Sequence, residues 1–222
     1  MPHFAAGVVR FQNEVYPKKK ELFEKLSRGQ SPEALFITCS DARVETAMIT
    51  QTEPGELFIC RNAGNIVPPH TNQTGGMTAS IEFAVAALKV PHIVICGHTE
   101  CGAMKGAMNT EGLSELPHVK EWLSFTKAAV DIVNETGANL SEAEKMGLLL
   151  EQNVILQLQH LKTHPSVAVR LAKGEMELHG WVYDIKSGAV NAYDEDKRQF
   201  CPVDVRYAEE MAKLATDNGC AA

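Results

Sequence analysis

Short apolar runs alternate with helical patterns in the first half of the chain. Continuous apolar runs at residues 34–39, 56–60 and 92–96 are typical of buried strands. Between them, residues 44–50 and 74–89 carry helical periodicity, and the longer segment is small or apolar on most sides. This alternation predicts an α/β fold with a mostly parallel central β-sheet, right-handed crossovers and flanking helices.

Two further apolar stripes precede the first strand. The first stripe ends at a break marked by Pro17, and the second ends near Gly29. Because both helices come before the sheet begins, we expect residues 1–30 to form an N-terminal helical arm that packs on a partner subunit. The stripes consist of Val8, Val9, Phe11 and Val15, and of Leu22, Phe23 and Leu26.

The second half of the chain is more helical. Periodicity predicts helices over residues 116–134, 141–161 and 205–215. Ser141, followed three residues later by Glu144, has the form of a capping box and predicts where the second of these helices begins.

A strand pattern returns near the C-terminus. Residues 175–185 and 189–193 are strand-like, and Ser187 and Gly188 form a turn signal between them. They predict a C-terminal hairpin at the edge of the sheet. We find no internal repeat or linker in the sequence, and we therefore expect one domain over residues 1–222.

Composition and charge narrow the functional classes. The 222 residues are 45% hydrophobic and 22% charged, which is ordinary for a globular protein. A net charge of −7 argues against a nucleic-acid partner. The sequence lacks both the roughly 18 consecutive apolar residues of a membrane span and the pattern of a secretory signal, so we expect no membrane partner and a cytoplasmic location.

The six cysteines are expected to be thiols or metal ligands, because disulfides are rare in the cytoplasm. Cys60 and Cys96 lie inside apolar runs and are interpreted as small buried hydrophobic residues. Cys201 and Cys220 are interpreted as incidental.

Two short segments concentrate chemically active side chains at predicted strand ends. Asp41 and Arg43 follow Cys39, and His98 and Cys101 follow the third apolar run. Two thiolates, an imidazole and a carboxylate form a ligand set for zinc. His98 and Cys101 have the three-residue spacing that shares a face at the start of a helical turn. Asp41 next to Arg43 favours a charge-assisted pair. If the two segments meet, they indicate a zinc enzyme.

The same residues allow other interpretations. A closed site of two Cys, one His and one Asp would hold zinc for structure alone, although a chain with an ample core does not need a metal to fold. His98 and Cys101 could also be unrelated core residues. Gly97 and Gly102 have the spacing of a phosphate loop, but Ala103 and Met104 stand where Lys and Ser or Thr are required.

Three motifs give the sequence a family resemblance. Cys39-Ser-Asp-Ala-Arg43, Arg61-Asn-Ala-Gly-Asn65 and Gly97-His-x-x-Cys-Gly102 resemble those of the β-class carbonic anhydrases. The similarity runs from about Phe11 to the segment at residues 179–184. It is nearest to the plant-type branch, which includes bacterial enzymes associated with cyanate breakdown. The resemblance implies reversible hydration of carbon dioxide to bicarbonate and a proton, and an enzyme of the lyase class.

The resemblance also implies roles for individual residues. Cys39, His98 and Cys101 would bind one Zn²⁺ per subunit, and Asp41 and Arg43 would form the catalytic dyad. Asp41 would be a conditional fourth ligand: held by Arg43 it orients a zinc-bound hydroxide, and released it closes the site. Two thiolate ligands weaken the Lewis acidity of zinc, so we expect activity to rise on the alkaline side.

Four residues are implied to bind the substrate. Gln30, Phe58 and Phe83 would line the pocket, and a backbone amide near Gly102 would support the bicarbonate oxygen. Phe83 stands where plant-type members usually have Tyr. The resemblance further implies a homodimer or higher homo-oligomer, in which Gln30 and Phe58 face a partner's zinc.

One regulated form of the family uses a Trp, an Arg and a Tyr to bind bicarbonate. Arg61 and Tyr183 match two of these residues, but Phe36 occupies the Trp position. We therefore expect that regulation to be weak or absent. For proton export, the sequence offers only candidates, namely His70, His92, His118, His160, His164 and His179.

Two other functions remain open on the sequence. One is a zinc-stabilised, non-catalytic homologue that acts as an interaction protein, which the presence of all five motif residues disfavours. The other keeps the site and hydrolyses a related heterocumulene. Zinc content combined with carbon dioxide hydration separates these alternatives from the enzyme.

Overall fold

The computed structural model describes residues 3–72 and 74–219. A six-stranded sheet forms its centre, with the strands in the order β2-β1-β3-β4-β5-β6. The strands are β1 Ala34–Cys39, β2 Leu57–Asn62, β3 His92–His98, β4 Glu177–Tyr183, β5 Val190–Asp194 and β6 Gln199–Pro202.

The first four strands are parallel, as the βαβαβ pattern predicts. In this register Ile37 lies between Cys60 of β2 and Ile95 of β3, so the carboxyl ends of the three strands meet at one edge. The central strand β1 is buried along its whole length, which explains its unbroken apolar run. The predicted α/β fold class is therefore confirmed.

Helices cover the sheet and connect its strands. Within the described residues the α-helices are α1 His3–Arg10, α2 Lys20–Leu26, α3 Thr46–Thr50, α4 Gly76–Glu82, α5 Gly102–Met108, α6 Pro117–Leu123, α7 Lys127–Thr136, α8 Glu142–Lys162, α9 Pro165–Ala172, α10 Val203–Arg206 and α11 Ala208–Gly219. π-Helical turns extend α1 over Phe11–Val15 and α4 over Phe83–Ala87, and 3₁₀ turns occur at Tyr16–Lys19, Thr110–Leu113 and Ser124–Thr126. None of these helices is both long enough and apolar enough to cross a membrane.

The core lies mainly on one face of the sheet. Leu35 and Ile37 of β1 and Ile95 of β3 are fully buried there, together with residues of the long helix α8 such as Val154. α8 begins where the sequence predicts, with both hydrogen bonds of the capping box around Ser141. The opposite face carries a smaller buried cluster of Phe36, Val94 and Cys96, against which Leu57, Trp181 and Tyr183 pack.

Several helices differ from the sequence prediction: α5 and α9 were not predicted, and the helix predicted over residues 205–215 is divided into α10 and α11. The sequence predicts one helix over residues 116–134, but the structure has α6 and α7. The hydroxyls of Ser124 and Thr126 donate to the carbonyls of Glu121 and Leu123, and such local bonds favour a break in a helix.

The C-terminal hairpin is present, but it does not form the edge of the sheet. β4 pairs in parallel with β3 and antiparallel with β5, and β5 pairs in turn with β6. β6 is only four residues long and ends at Pro202, which suits an edge strand and gives little apolar pattern. The sequence analysis therefore missed this strand.

The N-terminal helices are present and strongly exposed. None of the described residues in α1, α2 or the turns between them is buried. Phe4 is 68% exposed, Val8 54% and Val9 55%, although these side chains are apolar.

Candidate metal centre and active site

Three potential metal ligands meet at the carboxyl edge of the parallel sheet. Cys39 is the last residue of β1, His98 is the last residue of β3, and Cys101 directly precedes α5. All three side chains are buried, and their ligand atoms all lie within 4.8 Å of one another. The structure therefore brings together the three ligands predicted from the sequence.

The turn between His98 and Cys101 is not helical. Glu100 adopts the left-handed conformation, with φ of 59°, and Cys101 is extended before α5 begins at Gly102. The expected helical spacing is thus wrong as the reason for the contact. A tight turn after the strand brings the two side chains to the same place.

The sulfur separation fits a tetrahedral metal. Cys39 Sγ lies 3.9 Å from Cys101 Sγ. Two sulfurs bound to one zinc at about 2.3 Å, at the tetrahedral angle, are about 3.8 Å apart. The pair is therefore spaced for a shared metal, and it is too far apart for a disulfide, whose sulfurs are about 2 Å apart.

The imidazole of His98 is oriented for metal binding. Its Nδ1 lies 2.8 Å from the carbonyl oxygen of Thr99, which can only accept, so Nδ1 carries the proton. Its Nε2 is buried and has no hydrogen-bond partner among the described residues. An unpartnered buried nitrogen is costly unless a ligand engages it, and a backbone carbonyl on the second nitrogen is the usual support for a metal-bound His.

The pKa values of the two thiols are shifted in opposite directions. The hydrogen bond from Cys101 lowers the pKa of Cys39 to about 4 against the opposing effect of burial, and the Gly64 N–H (3.4 Å) also favours the Cys39 thiolate. The same contact with Cys39, together with burial, raises the pKa of Cys101. A divalent cation would favour the thiolate form of both, so the donor set fits zinc.

Asp41 and Arg43 form a two-pronged ion pair beside these ligands. Arg43 Nε donates to Asp41 Oδ1 (2.9 Å), Arg43 Nη2 donates to Oδ2 (2.7 Å), and the Arg43 backbone N–H also donates to Oδ1 (3.0 Å). These hydrogen bonds hold the pKa of the Asp41 carboxyl well below its usual range and raise the pKa of Arg43. Asp41 Oδ2 lies 3.9 Å from His98 Nε2, so the carboxylate borders the metal ligands.

Arg61 holds the segment that carries Cys39 and Asp41. Its Nε donates to the carbonyl of Cys39 (3.0 Å), and its Nη2 donates to the carbonyls of Asp41 and Val44 (2.7 Å each). Sequence reasoning considered Arg61 only for bicarbonate regulation. Its position near the carboxyl end of β2, beside the end of β1, is the signal that could have indicated this role.

Gly64 also supports the ligands in a way the sequence analysis missed. It has a φ of 84°, and a Cβ there would lie 2.8 Å from Met104 Cε and 3.1 Å from the Cβ of Ala103. Both the backbone conformation and the close approach of α5 therefore favour glycine. This approach is what allows the Gly64 N–H to reach Cys39.

Only some of the predicted pocket residues lie together. The rings of Phe58 and Phe83 are 6.0 Å apart, and Phe83 is 47% exposed. Gly102 follows the ligand Cys101 directly. Gln30 lies elsewhere, in a groove of about 570 Å³. Residues 53–56 and residues between 22 and 33 line this groove, and the metal ligands are not among them.

Of the six histidines considered for proton export, four make side-chain contacts with backbone carbonyls or with each other. His160 Nδ1 lies 2.7 Å from the carbonyl of Val67, and His164 Nε2 lies 3.0 Å from that of Pro68. His92 and His179 contact each other at the amino ends of their strands.

The fold and the site together define a class of protein. A sheet whose parallel strand ends present two cysteines and one histidine, next to a polar ion pair, is typical of an α/β metalloenzyme with a catalytic zinc, since catalytic zinc has three protein ligands and an open position.

Comparisons identify the family. A sequence model of the carbonic anhydrase family matches residues 34–190. The carbonic anhydrase of Pseudomonas aeruginosa is 50% identical over 194 residues, which cover 87% of this chain and 88% of that protein. Carbonic anhydrase 1 of Escherichia coli O157:H7 is 46% identical over 203 residues, covering 91% and 92% respectively. The chain therefore belongs to the carbonic anhydrase family.

Solved structures assign it to the β-class. The β-carbonic anhydrase CcaA superimposes with a TM-score of 0.88 at 41% identity, covering 90% of this chain and 98% of that one. A β-carbonic anhydrase from Sordaria macrospora, described as tetrameric, gives a TM-score of 0.75 at 33% identity, covering 86% and 95%. The expected family, the zinc cofactor and the enzymatic hydration of carbon dioxide are confirmed.

Proposed function

We propose that Cys39, His98 and Cys101 hold the catalytic Zn²⁺ and that Asp41 and Arg43 are the catalytic pair for carbon dioxide hydration. The position of Asp41 carries this proposal. Its carboxylate lies 3.9 Å from the unpartnered Nε2 of His98, while Arg43 engages both of its oxygens. Such a carboxylate is near enough to act at the fourth metal position, and Arg43 holds it in place.

The ion pair assigns separate tasks to its two members. When bound, Zn²⁺ supplies the Lewis acidity that turns water into a nucleophile near neutral pH. Asp41 accepts a hydrogen bond from the nucleophilic oxygen. This hydrogen bond orients a lone pair of that oxygen towards the carbon atom of the substrate. Arg43 keeps Asp41 ionised and oriented. If the pair opens, Asp41 is free to become the conditional fourth ligand, which would exclude water.

The substrate pocket is proposed to be apolar with a few polar groups. Phe58 and Phe83 would form its wall, which suits a small apolar molecule. The backbone N–H of Gly102 and the amide of Gln30 would donate hydrogen bonds to the developing bicarbonate. In this proposal Gln30 acts on the site of a partner subunit, which agrees with its distance from the ligands of its own chain.

A homodimer is proposed as the minimal functional unit. The exposed apolar side chains of the arm, such as Phe4 and Val8, would be covered by a second copy of the chain. A tetrameric relative among the solved structures supports a homo-oligomer. We further propose a single domain over residues 1–222, supported by the one continuous sheet of the described residues.

The cytoplasm is the proposed location. The described cysteines Cys39, Cys60, Cys96, Cys101 and Cys201 are all free thiols, which suits a reducing compartment.

Replacing Asp41 tests the catalytic pair. We expect Asp41→Asn to lower kcat/KM for carbon dioxide hydration by about 100-fold or more, because an amide cannot replace the ionised acceptor. Arg43→Ala should lower it by a similar amount and favour the closed state. Stopped-flow hydration assays and zinc content per subunit would be measured on the same samples.

The exposed pair Lys127–Asp131 on α7 provides matched controls. Asp131→Asn and Lys127→Ala remove a carboxylate and a cation from an exposed ion pair that contains none of the site residues, and both should leave the rate unchanged. Full activity of Asp41→Asn with normal zinc would contradict the proposed role. Loss of zinc in that variant would instead make Asp41 a structural ligand.

A further inference from the structure

A second group of potential metal ligands lies at the opposite edge of the sheet. His92 is the first residue of β3, and it pairs in register with Glu177, the first residue of β4. His179 is two residues further along β4, so its side chain lies on the same face as that of Glu177. His92 is six residues before His98 on one strand, which places this group about 20 Å from the catalytic site.

The three side chains already converge. His92 Nδ1 lies 3.1 Å from His179 Nε2, and Glu177 Oε2 lies 4.0 Å from the first nitrogen and 3.9 Å from the second. Two nitrogens bound to one zinc at about 2.05 Å in a tetrahedron are about 3.3 Å apart. The imidazole pair therefore has nearly the required spacing, and Glu177 is largely exposed and free to swing inward by the remaining fraction of an ångström.

A hydrogen bond orients the imidazole of His179. His179 Nδ1 lies 2.9 Å from the hydroxyl of Tyr207, and that hydroxyl accepts a hydrogen bond from Trp181 Nε1 (3.1 Å). When His179 Nδ1 donates to Tyr207, its Nε2 presents a lone pair towards His92. This second contact is the kind of support that fixes the tautomer of metal-binding histidines.

The surroundings favour a cation. The group opens into a cavity of about 350 Å³. Two further carboxylates, Glu33 and Glu210, line this cavity, and no Lys or Arg is among the described residues that line it. A divalent ion bound here would lie near these carboxylates and an apolar floor that includes Phe36 and Trp181, and Arg206, stacked on the Tyr207 ring, is a cation close to His179.

We propose that His92, Glu177 and His179 form a second metal site that binds a divalent transition-metal cation. Two imidazoles and one carboxylate suit Zn²⁺, Co²⁺ or Ni²⁺, and they leave positions open for water. The site contains no thiolate, which distinguishes it from the Cys39-His98-Cys101 centre. A bound ion would join the amino ends of β3 and β4, and through Tyr207 it would be linked to the start of α11.

Cobalt titration of the zinc-loaded enzyme tests this site. We expect the protein with its catalytic zinc in place to bind one further Co²⁺ per subunit, measured by isothermal titration calorimetry and by metal analysis. The cobalt spectrum should lack thiolate-to-metal charge transfer, because the new ligands are nitrogen and oxygen. Appearance of that charge transfer would mean that cobalt had replaced the catalytic zinc.

Variants assign the binding to these residues. The double variant His92→Gln/His179→Gln should lose the second equivalent, and Glu177→Gln should weaken its affinity about tenfold or more. His118→Gln removes an exposed histidine on α6 and should bind cobalt like the wild type. Retained zinc and hydration activity would show that each variant is folded. If the double variant does not fold, Glu177→Gln still tests the site.

Two results would overturn the proposal. One is the absence of a second equivalent at millimolar Co²⁺, which would leave His92 and His179 as a hydrogen-bonded pair without metal affinity. The other is a second equivalent that persists unchanged in the double variant. Neither result bears on the roles of Asp41 and Arg43.

Discussion

At the scale of single residues, hydrogen bonds to the metal ligands and their neighbours determine what the site can do. The Thr99 carbonyl holds the proton of His98 on Nδ1, and this leaves Nε2 available to a metal. Arg43 holds Asp41, so that a possible fourth ligand is kept as a hydrogen-bond acceptor. In the proposed function, the open and closed forms of the site differ by this ion pair.

Arg61 acts on the same loop from the neighbouring strand. Because three backbone carbonyls depend on its guanidinium, replacing it would release the segment that carries both Cys39 and Asp41.

We expect Arg61→Ala to speed the loss of zinc to a chelator by about tenfold or more, since residues that orient metal ligands typically contribute this much. Zinc release would be followed with a chromophoric chelator. Arg61→Lys should restore little, because an ammonium cannot span the same acceptors. Lys127→Ala serves as the control for loss of a cation. If Arg61→Ala releases zinc at the wild-type rate, Arg61 does not hold the segment that carries the metal ligand Cys39.

At the scale of elements, the residues of the site lie at strand ends and at the start of a helix. The long helix α8 packs beside them and stabilises their positions. α8 packs on β3 and β4, and its Asn153 donates to the carbonyl of Gly64 (3.1 Å), next to the N–H that contacts Cys39. The capping box at Ser141 secures the beginning of this helix.

We expect Ser141→Ala to lower the free energy of unfolding by about 1 kcal/mol, because the side-chain bond to the Glu144 N–H is lost. Urea denaturation would measure the change. Ser114→Ala, at an exposed serine outside α8, should change the stability by less than about 0.5 kcal/mol. Equal stability of the two variants would mean that the cap contributes nothing.

At the scale of the whole molecule, the N-terminal arm is a segment whose apolar side chains the described chain leaves uncovered. Its apolar side chains are exposed over two successive helical segments, although the remainder of the chain has an ample core. The proposed dimer accounts for these residues and for the distance of Gln30 from the ligands of its own chain.

We expect the double variant Val8→Asp/Phe11→Asp to shift the protein towards a monomer and to lower hydration activity with it. Light scattering coupled to size-exclusion chromatography would measure the mass. Val169→Asp changes an equally exposed apolar residue on α9 and should leave the assembly intact. An unchanged mass in the arm variant would place the interface elsewhere.

Much of the fold could be predicted because the relevant patterns are local. Buried parallel strands give unbroken apolar runs, and Ser141 and Glu144 signal a helix start within four residues. β6 and the break at Ser124 were missed, since the first is too short for a pattern and the second depends on side-chain bonds to the backbone. The spacing argument for His98 and Cys101 reached the right contact through the wrong local geometry.

The sequence by itself determined the residue types of the candidate metal centre, because the potential ligands and their neighbours lie in short motifs around Cys39 and His98. Only the tertiary structure decided the role of Arg61, the tautomer of His98 and the meeting of His92 with His179, which are 87 residues apart. These depend on strand register and close packing across the sheet, and no local pattern in the chain specifies which distant side chains such packing brings into contact.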